Sequence, residues 1–242
     1  GSEVVYKNAI GYSEAATQKE NKLKSIFRIG WLTKTFTAAM VLKLAEDHKL
    51  SLQDPLTKYF PEFLPGKDIT IEHLLTHTSG VYESLRNPSY RADMETDKKI
   101  NTNEIMGYFI DQPLDFKPGT QFSYSNSGYN LLGIIIEKVT GLSYDKALEK
   151  YIFKKFNLKH TGFNYKTLSD SNKTTAYSYL SPTRHVEVKP GNPMLLYSSG
   201  ALYSTVDDLN KWYAVLKNNK FISQESFKKA LQDHLGGYGY GW

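Results

Sequence analysis

A tryptophan and a lysine stand three residues apart at the start of a helix-forming run, with the spacing of a catalytic pair. The run FRIGWLTKTFTAAM places Trp31 and Lys34 at positions i and i+3, which are neighbours on one face of a helix. A serine at position 31 would complete Ser-x-x-Lys, in which the lysine amine takes the serine proton and the helix N-terminus favours the developing negative charge. This spacing therefore indicates acyl transfer, but an indole stands where the nucleophile is expected.

A second short motif, Tyr124-Ser125-Asn126, ends an extended stretch. Residues two apart in an extended chain project to the same side, so we expect Tyr124 and Asn126 to face one cleft. A phenol beside an ammonium group can act as acid or base, and an asparagine amide can hold a substrate carbonyl. Each motif alone is weak. Two other Ser-x-x-Lys matches, at 143–146 and 226–229, fit better as a helix cap and an exposed helical face.

The elements that must position these side chains follow from periodicity and from glycine and proline punctuation. The run from Leu32 to His48 predicts a core helix, with a buried stripe of Leu32, Phe36, Ala39 and Met40. The other predicted elements are a short strand over 4–10, a short helix over 69–77, a helical stretch over 103–111, a helix over 127–140 ended by Gly141, a helix over 144–153 capped by Ser143, a helix capped by Thr205, and a beginning strand in GGYGYGW.

The composition is that of an ordinary globular chain without cysteine chemistry. Of 242 residues, 40% are hydrophobic and 23% are charged, and none is cysteine, so disulfides and thiolate nucleophiles are excluded. The net charge of +5 comes from lysines scattered among acidic residues, which argues against a nucleic-acid site. No apolar run approaches the roughly 20 residues of a membrane span.

Two patterns that resemble metal or cofactor sites are not favoured. His73 and His77 have the i, i+4 spacing of helical metal ligands, but a His-Glu-x-x-His pattern and an obvious third ligand are both missing. We therefore interpret His77-Thr78-Ser79-Gly80 as a turn locked by hydrogen bonds. The glycines of the last seven residues lack the Lys and Ser/Thr of a phosphate loop. We expect neither a metal nor a cofactor.

The order and flanks of the motifs make the signal specific. The segments FRIGWLTKTFTAAMVLKLAEDHKLSLQDPLTKYFPEF, ITIEHLLTHTSG, PGTQFSYSNSGYNLLGIIIEKVTG and SSGALYSTVDDLNKW closely resemble the serine β-lactamase-like family over nearly the whole chain. That family includes class C β-lactamases, D-alanyl-D-alanine carboxypeptidases and related esterases. The resemblance implies an α/β (α+β) fold in one domain over 1–242, with a mainly helical subregion at 51–200 and a sheet built from both chain ends.

The resemblance also implies roles for individual residues. Lys34 would be the lysine of the first motif, and Tyr124 and Asn126 the tyrosine and asparagine of the second, with Asn126 and position 31 contacting substrate. The family forms an acyl-enzyme on its serine, and backbone N–H groups stabilise the oxyanion. A small-molecule or peptidoglycan-type ligand and an extracytoplasmic location in the cell envelope are the corresponding expectations.

Two departures change the expected function. Trp31 has no nucleophilic hydroxyl, and its bulk is expected to fill the acyl pocket, so acylation should be absent. The sequence also ends at Trp242, before the family's Lys-Thr-Gly or His-x-Gly motif, and we expect the family's first strand and its C-terminal strands and helix to be missing. We expect strands to be supplied by a second chain or a swapped copy, or the local fold to be rearranged, because open sheet edges invite pairing.

Three functional hypotheses remain open from the sequence. The first is a catalytically silenced scaffold with a binding or assembly role. The second is an inactive variant of a serine hydrolase that acts on D-Ala-D-Ala peptides, β-lactams or small esters. The third uses Lys34 as an amine nucleophile whose pKa is lowered by burial. A natural loss, a selected variant and a deliberate inactivation are all compatible with tryptophan at position 31.

Overall fold

The computed structural model describes residues 4–181 and 183–242. The chain folds as the expected mixture of helices and strands, in which the helices dominate. The helices are α1 (Thr33–Glu46), α2 (Ile71–Leu75), α3 (Pro88–Met94), α4 (Thr102–Gly107), α5 (Asn126–Thr140), α6 (Tyr144–Leu148), α7 (Pro193–Gly200), α8 (Val206–Lys217) and α9 (Gln224–Leu231). The strands are β1 (Tyr12–Glu14), β2 (Lys19–Glu20), β3 (Phe27–Arg28), β4 (Gly162–Phe163), β5 (Ala176–Leu180), β6 (His185–Val188) and β7 (Leu202–Ser204).

The helix α1 is the centre of the core, as its composition predicts. Phe36, Ala39 and Met40 are fully buried, and α1 packs against both α5 and α7. The prediction was wrong for Leu32, which is 52% exposed. Leu32 belongs to the 3₁₀ turn that precedes α1, and the changed twist of that turn rotates its side chain off the buried stripe.

The helix α5 begins at the second motif and ends where the sequence indicates. Ser125 caps it, because its hydroxyl accepts a hydrogen bond from the Gly128 backbone N–H. Gly141 ends it in the left-handed conformation, with φ of 68°. Most of this helix is buried between α1, α2 and α7, so the residue at its N-terminus, Asn126, is held rigidly against α1.

The sheet nearest the two motifs is antiparallel, in the order β3-β7-β4. Phe27 pairs with Ser204, and Phe163 pairs with Leu202 on the other side of β7. The central strand β7 directly follows α7, and β3 directly precedes the turn that carries position 31. The sheet therefore fixes the end of α7 and the start of the turn before α1, and these two segments meet at Lys34.

Two predicted strands were wrong. Residues 4–10 lie outside any strand, since backbone partners for a ladder are missing among residues 4–181 and 183–242. The segment GGYGYGW forms turns instead of a strand, because Gly236, Gly237 and Gly241 all have φ above 70°. Its backbone bonds within the segment and to α9, with Gly239 N donating to the Trp242 carbonyl and Tyr240 N donating to the Ala230 carbonyl.

The helix predictions need three smaller corrections. The stretch predicted at 103–111 is the shorter helix α4, which begins with a capping box between Asn101 and Glu104. The helix α3 was missed, although Asn87 caps it and a proline stands at its first position. Ser143 occupies the cap position of α6, but its hydroxyl donates to the Asp145 carboxylate instead of accepting from the backbone.

The helix α7 is broken inside by one residue in a sparsely populated conformation. Tyr197 has φ of 36° and ψ of −130°, and its side chain is buried. The break turns the next two carbonyl groups, those of Ser198 and Ser199, toward α1, where they accept hydrogen bonds from Thr37 and Lys34. This backbone strain therefore coincides with the approach of α7 to the first motif.

None of the helices in the described part of the chain is both long enough and apolar enough to cross a membrane.

Candidate active site

Position 31 lies on the 3₁₀ turn Gly30–Leu32, immediately before α1. The Trp31 indole is 47% exposed, and its inner face lies over the Lys34 ammonium, 4.8 Å from the ring centroid to Nζ. Its six-membered ring also lies against Gly200, where an added Cβ would stand 2.6 Å from Cζ3 of the indole. The indole, which stands where the family resemblance predicts a serine, thus covers Lys34 from the solvent side.

Lys34 is almost completely buried, with 1% of its surface exposed. Its Nζ donates to Asn126 Oδ1 at 2.8 Å and to the Ser199 carbonyl at 3.1 Å. Burial lowers the pKa of Lys34 to about 7, and the negative charge of Glu83 partly opposes that effect. The amine therefore changes its charge near neutral pH, which is the property that a general base needs.

The aromatic rings around Lys34 form a cation–π enclosure. Its Nζ lies 4.8 Å from the ring centroid of Tyr124 and 5.2 Å from that of Tyr129, in addition to the contact with Trp31. Such contacts stabilise a desolvated ammonium by roughly 2 kcal/mol. The enclosure offsets part of the cost of burying the charge, so Lys34 remains protonatable inside the core.

Tyr124 and Asn126 face the same space, as the extended spacing predicts. Tyr124 presents its ring to Lys34, however, and within the described residues its hydroxyl has no hydrogen bond with the lysine. Burial raises the pKa of Tyr124 to about 12, with a further contribution from the charge of Glu83. The phenol is therefore a proton donor at neutral pH, and Lys34 is the only one of the two that can serve as a base.

Asn126 is held by a residue that sequence reasoning missed. Its Nδ2 donates to Glu83 Oε1 at 3.1 Å, and its backbone N–H donates to Glu83 Oε2. Glu83 is separated from Asn126 by 43 positions in the chain, so no local spacing signals the contact. Tyr129, Ser199 and Gly200 were missed for the same reason.

His77 has a structural role, as the turn interpretation predicts. It has a positive φ of 58°, and its Nδ1 accepts a hydrogen bond from the Ser125 backbone N–H at 3.1 Å. Burial and the positive charge of Lys34 lower the pKa of His77 to about 3, so the imidazole is neutral. The centroid of the His77 ring lies 4.2 Å from that of Tyr124 and 4.7 Å from that of Tyr238. This packing holds the Tyr124 ring in place.

The described residues offer few side-chain groupings that could bind a metal ion. In residues 4–181 and 183–242, His, Asp and Glu side chains do not gather in groups of three or more. The Nδ1 atom of His73 accepts a hydrogen bond from the Thr70 backbone N–H in a capping box, so this nitrogen is not available to a metal ion.

The four residues named from the sequence, Trp31, Lys34, Tyr124 and Asn126, lie together in one cluster.

Known proteins resemble the chain over its whole length. The family model Beta-lactamase matches residues 1–241. A curated relative, Protein flp of Staphylococcus aureus (strain N315), is 29% identical over 253 residues, covering 99% of this chain and 50% of the relative. The chain spans about half the length of the curated relatives it matches.

Solved structures agree with the family match. A penicillin binding protein from Bacillus halodurans superposes with a TM-score of 0.83 and 27% identity, covering 97% of this chain and 73% of the other. An octameric penicillin-binding protein homologue from Pyrococcus abyssi gives a TM-score of 0.81 and 29% identity, covering 99% of this chain and 58% of the other.

Proposed function

Because this chain belongs to the beta-lactamase family, we propose that it is a catalytically silenced scaffold of that family, with a binding or assembly role. The observation that carries this proposal is the Trp31 indole, which occupies the nucleophile position directly above Lys34. An indole N–H only donates hydrogen bonds and cannot form an acyl-enzyme. Loss of the nucleophile in a comparable serine enzyme lowers kcat by about a million-fold.

The surface left for ligand binding is aromatic. Trp31 and Tyr124 are 47% and 36% exposed, whereas Lys34 and Asn126 are 1% and 3% exposed. A ligand at this surface would contact the two rings first, and would reach the Asn126 amide only if the indole moves. A peptidoglycan-type peptide or a β-lactam is the ligand class proposed from the family, and the cell envelope is the corresponding location.

A second candidate function is supported by the state of the lysine. Lys34 keeps a pKa of about 7 and a hydrogen bond to Asn126, although without a serine it has no proton to accept. Costly burial of an amine with no use at the site favours a hydrolase from which only the nucleophile has been removed. In that case the active form would act on D-Ala-D-Ala peptides, β-lactams or small esters.

One substitution separates the two candidates. The wild-type protein and Trp31→Ser are incubated with a fluorescent penicillin and with an activated ester, and covalent adducts are read by intact mass. Trp31→Ser/Lys34→Met is the control, because it restores the hydroxyl without the base. Labelling of Trp31→Ser alone supports a hydrolase that lost its nucleophile. If no form is labelled, the scaffold role is favoured, whereas an adduct on Lys34 of the wild type contradicts silencing.

An assembly role is proposed from the segment at 4–10. Val5, Tyr6 and Ile10 are 93%, 75% and 79% exposed, and the segment is tied to α8 by the ion pair of Lys7 with Asp207. Exposed β-branched and aromatic residues in a segment that is outside any strand favour strand addition from a second chain or a swapped copy. The octameric homologue makes self-association a reasonable form of this proposal.

The assembly proposal is tested by size-exclusion chromatography with light scattering. We expect a mass above 27.6 kDa that falls to the monomer value in Val5→Lys/Ile10→Lys. Leu64→Lys/Leu231→Lys, which adds two charges at exposed positions outside this segment, is the control. A wild-type protein that stays monomeric at all concentrations contradicts the proposal.

A further inference from the structure

Glu83 connects the turn after α2 with the second motif directly, and with Lys34 of the first motif through Asn126. Its Oε1 accepts from the Leu85 backbone N–H at 3.1 Å and from Asn126 Nδ2 at 3.1 Å, and its Oε2 accepts from the Asn126 backbone N–H. The carboxylate therefore lies at the N-terminus of α5, where the helix dipole stabilises negative charge. None of these contacts involves Trp31.

The orientation of the Asn126 amide is fixed by its two neighbours. A carboxylate only accepts hydrogen bonds and an ammonium only donates them. The side of the amide that faces Glu83 must therefore be the NH₂ group, and the side that faces Lys34 must be the oxygen. The distances of 3.1 Å and 2.8 Å agree with this orientation at both ends.

The same carboxylate is an electrostatic partner of Lys34. The two side chains are bridged by Asn126, and the negative charge of Glu83 raises the affinity of the amine for its proton against the effect of burial. The other charged or titratable groups around Lys34 are the phenols of Tyr124 and Tyr129 and the neutral imidazole of His77. Glu83 is thus the counter-charge of this enclosure.

From these contacts we infer that Glu83 is a positioning residue, which fixes the Asn126 amide with its oxygen toward Lys34 and maintains the charge of the lysine. The inference concerns the same cluster as the proposed function, but it does not depend on acylation or on ligand binding. In a variant of this chain with serine at position 31, Glu83 would have the same role, because Lys34 would then exchange one proton with the serine hydroxyl at a defined pH.

The test measures the charge of Lys34 directly in the protein as it exists. Lysine is labelled with ¹³C and ¹⁵N, the Cε shift is followed from pH 5 to 10, and the Lys34 signal is identified by its absence from Lys34→Met. Glu83→Gln should lower the pKa of Lys34 by roughly one unit, because it removes a nearby opposite charge. Glu83→Asp keeps the negative charge, so the pKa of Lys34 in this variant should stay close to its wild-type value.

Glu104→Gln is the matched control, because Glu104 also accepts a backbone hydrogen bond at a helix N-terminus, but in α4, away from Lys34. It should leave the pKa of Lys34 unchanged. A folded Glu83→Gln protein with the wild-type pKa of Lys34 would overturn the inference. Circular dichroism of Glu83→Gln shows whether the variant is folded, and so separates a change in the pKa of Lys34 from unfolding.

A second measurement needs no substitution and covers the case in which Glu83→Gln does not fold. The Asn126 side-chain amide protons should exchange slowly with deuterated water, because Glu83 and Lys34 hold the two ends of this buried amide. Fast exchange of these protons in the folded protein contradicts the inference. Neither result depends on whether penicillin labels Trp31→Ser, so the two proposals fail separately.

Discussion

The Trp31 indole occupies the space that Gly200 leaves by having no side chain. A Cβ at position 200 would lie 2.6 Å from Cζ3 of Trp31 and 2.9 Å from Cε3, closer than nonbonded carbon atoms approach. The indole is therefore seated against the end of α7 and does not simply project into solvent. Positions 31 and 200 are in direct contact, so the energetic cost of a substitution at one of them should depend on the residue at the other.

Gly200→Ala should move the indole and loosen the cover over Lys34. Because Trp31 is half exposed and can shift outward, we expect a loss of about 1 kcal/mol in the free energy of unfolding, at the low end for overpacking. In a Trp31→Ala background the same substitution should cost much less. Urea denaturation of the four proteins measures this coupling. Equal costs in both backgrounds would show that the two positions do not interact.

Lys34 should make stability rise with pH through the neutral range. Its pKa is about 7 in the folded protein and 10.5 in the unfolded chain, so the unfolded state binds more protons between those values. The free energy of unfolding should then increase by at most about 1.4 kcal/mol per pH unit above pH 7. Lys34→Met removes this contribution.

Urea denaturation from pH 6 to 9.5 checks this prediction. The difference between wild type and Lys34→Met should grow in favour of the wild type as pH rises. Raised tyrosine pKa values affect both proteins equally in this comparison. Parallel profiles would mean that the amine is as well solvated as in the unfolded chain.

The sequence predicted the local parts of the site well and its long-range parts poorly. The pairs Trp31 with Lys34 and Tyr124 with Asn126 depend only on helical and extended spacing, and the structure brings all four residues together. Glu83 joins the cluster only through packing of the turn after α2 against α5, which no periodicity encodes.

The strand misassigned to the last seven residues has a related cause. In GGYGYGW the alternation of glycine and aromatic residues imitates a strand, but Tyr238 packs on His77 and Tyr240 is fully buried. These contacts are set by tertiary structure, and the glycines permit the turns that they require. The strand propensity of a segment is weak evidence for a strand where tertiary packing determines its conformation.

Thr205→Ala should destabilise the protein more than Ser143→Ala, although both residues precede helices. Thr205 accepts a hydrogen bond from the Asp208 backbone N–H at 3.2 Å, while the Ser143 hydroxyl donates to Asp145, and the Tyr144 backbone N–H donates to Glu137 instead of to Ser143. We expect a loss of about 1 kcal/mol for Thr205→Ala and less than half of that for Ser143→Ala. Thermal and urea denaturation of both variants gives the comparison, and equal losses would contradict it.

Glu72 should contribute stability that is lost in acid. Burial raises its pKa, but hydrogen bonds from Tyr240, Lys229 and Gln53 outweigh burial and lower it to about 2, below the ordinary value of 4.5. Since the folded pKa is depressed, the contribution is present above pH 4.5 and disappears as the pH falls toward 2. Its size is on the order of 1 kcal/mol, because the carboxylate is partly exposed and screened.

Tyr240→Phe removes one of those hydrogen bonds and should make the fall in stability between pH 5 and pH 2 shallower. Tyr238→Phe is the control, since Tyr238 packs on His77 and not on Glu72. Denaturation of both variants across this range checks the difference. A slope for Tyr240→Phe equal to that of the wild type would assign the acid sensitivity to other carboxylates.

The break in α7 has a consequence for how this protein tolerates sequence drift. The strained Tyr197 directs the Ser199 carbonyl toward Lys34, so one of the two acceptors that hold the amine belongs to the main chain. No substitution at position 199 can delete that oxygen. The hydrogen bond that Lys34 donates to position 199 therefore survives side-chain substitution there, whereas the one to Asn126 is lost when the amide is replaced.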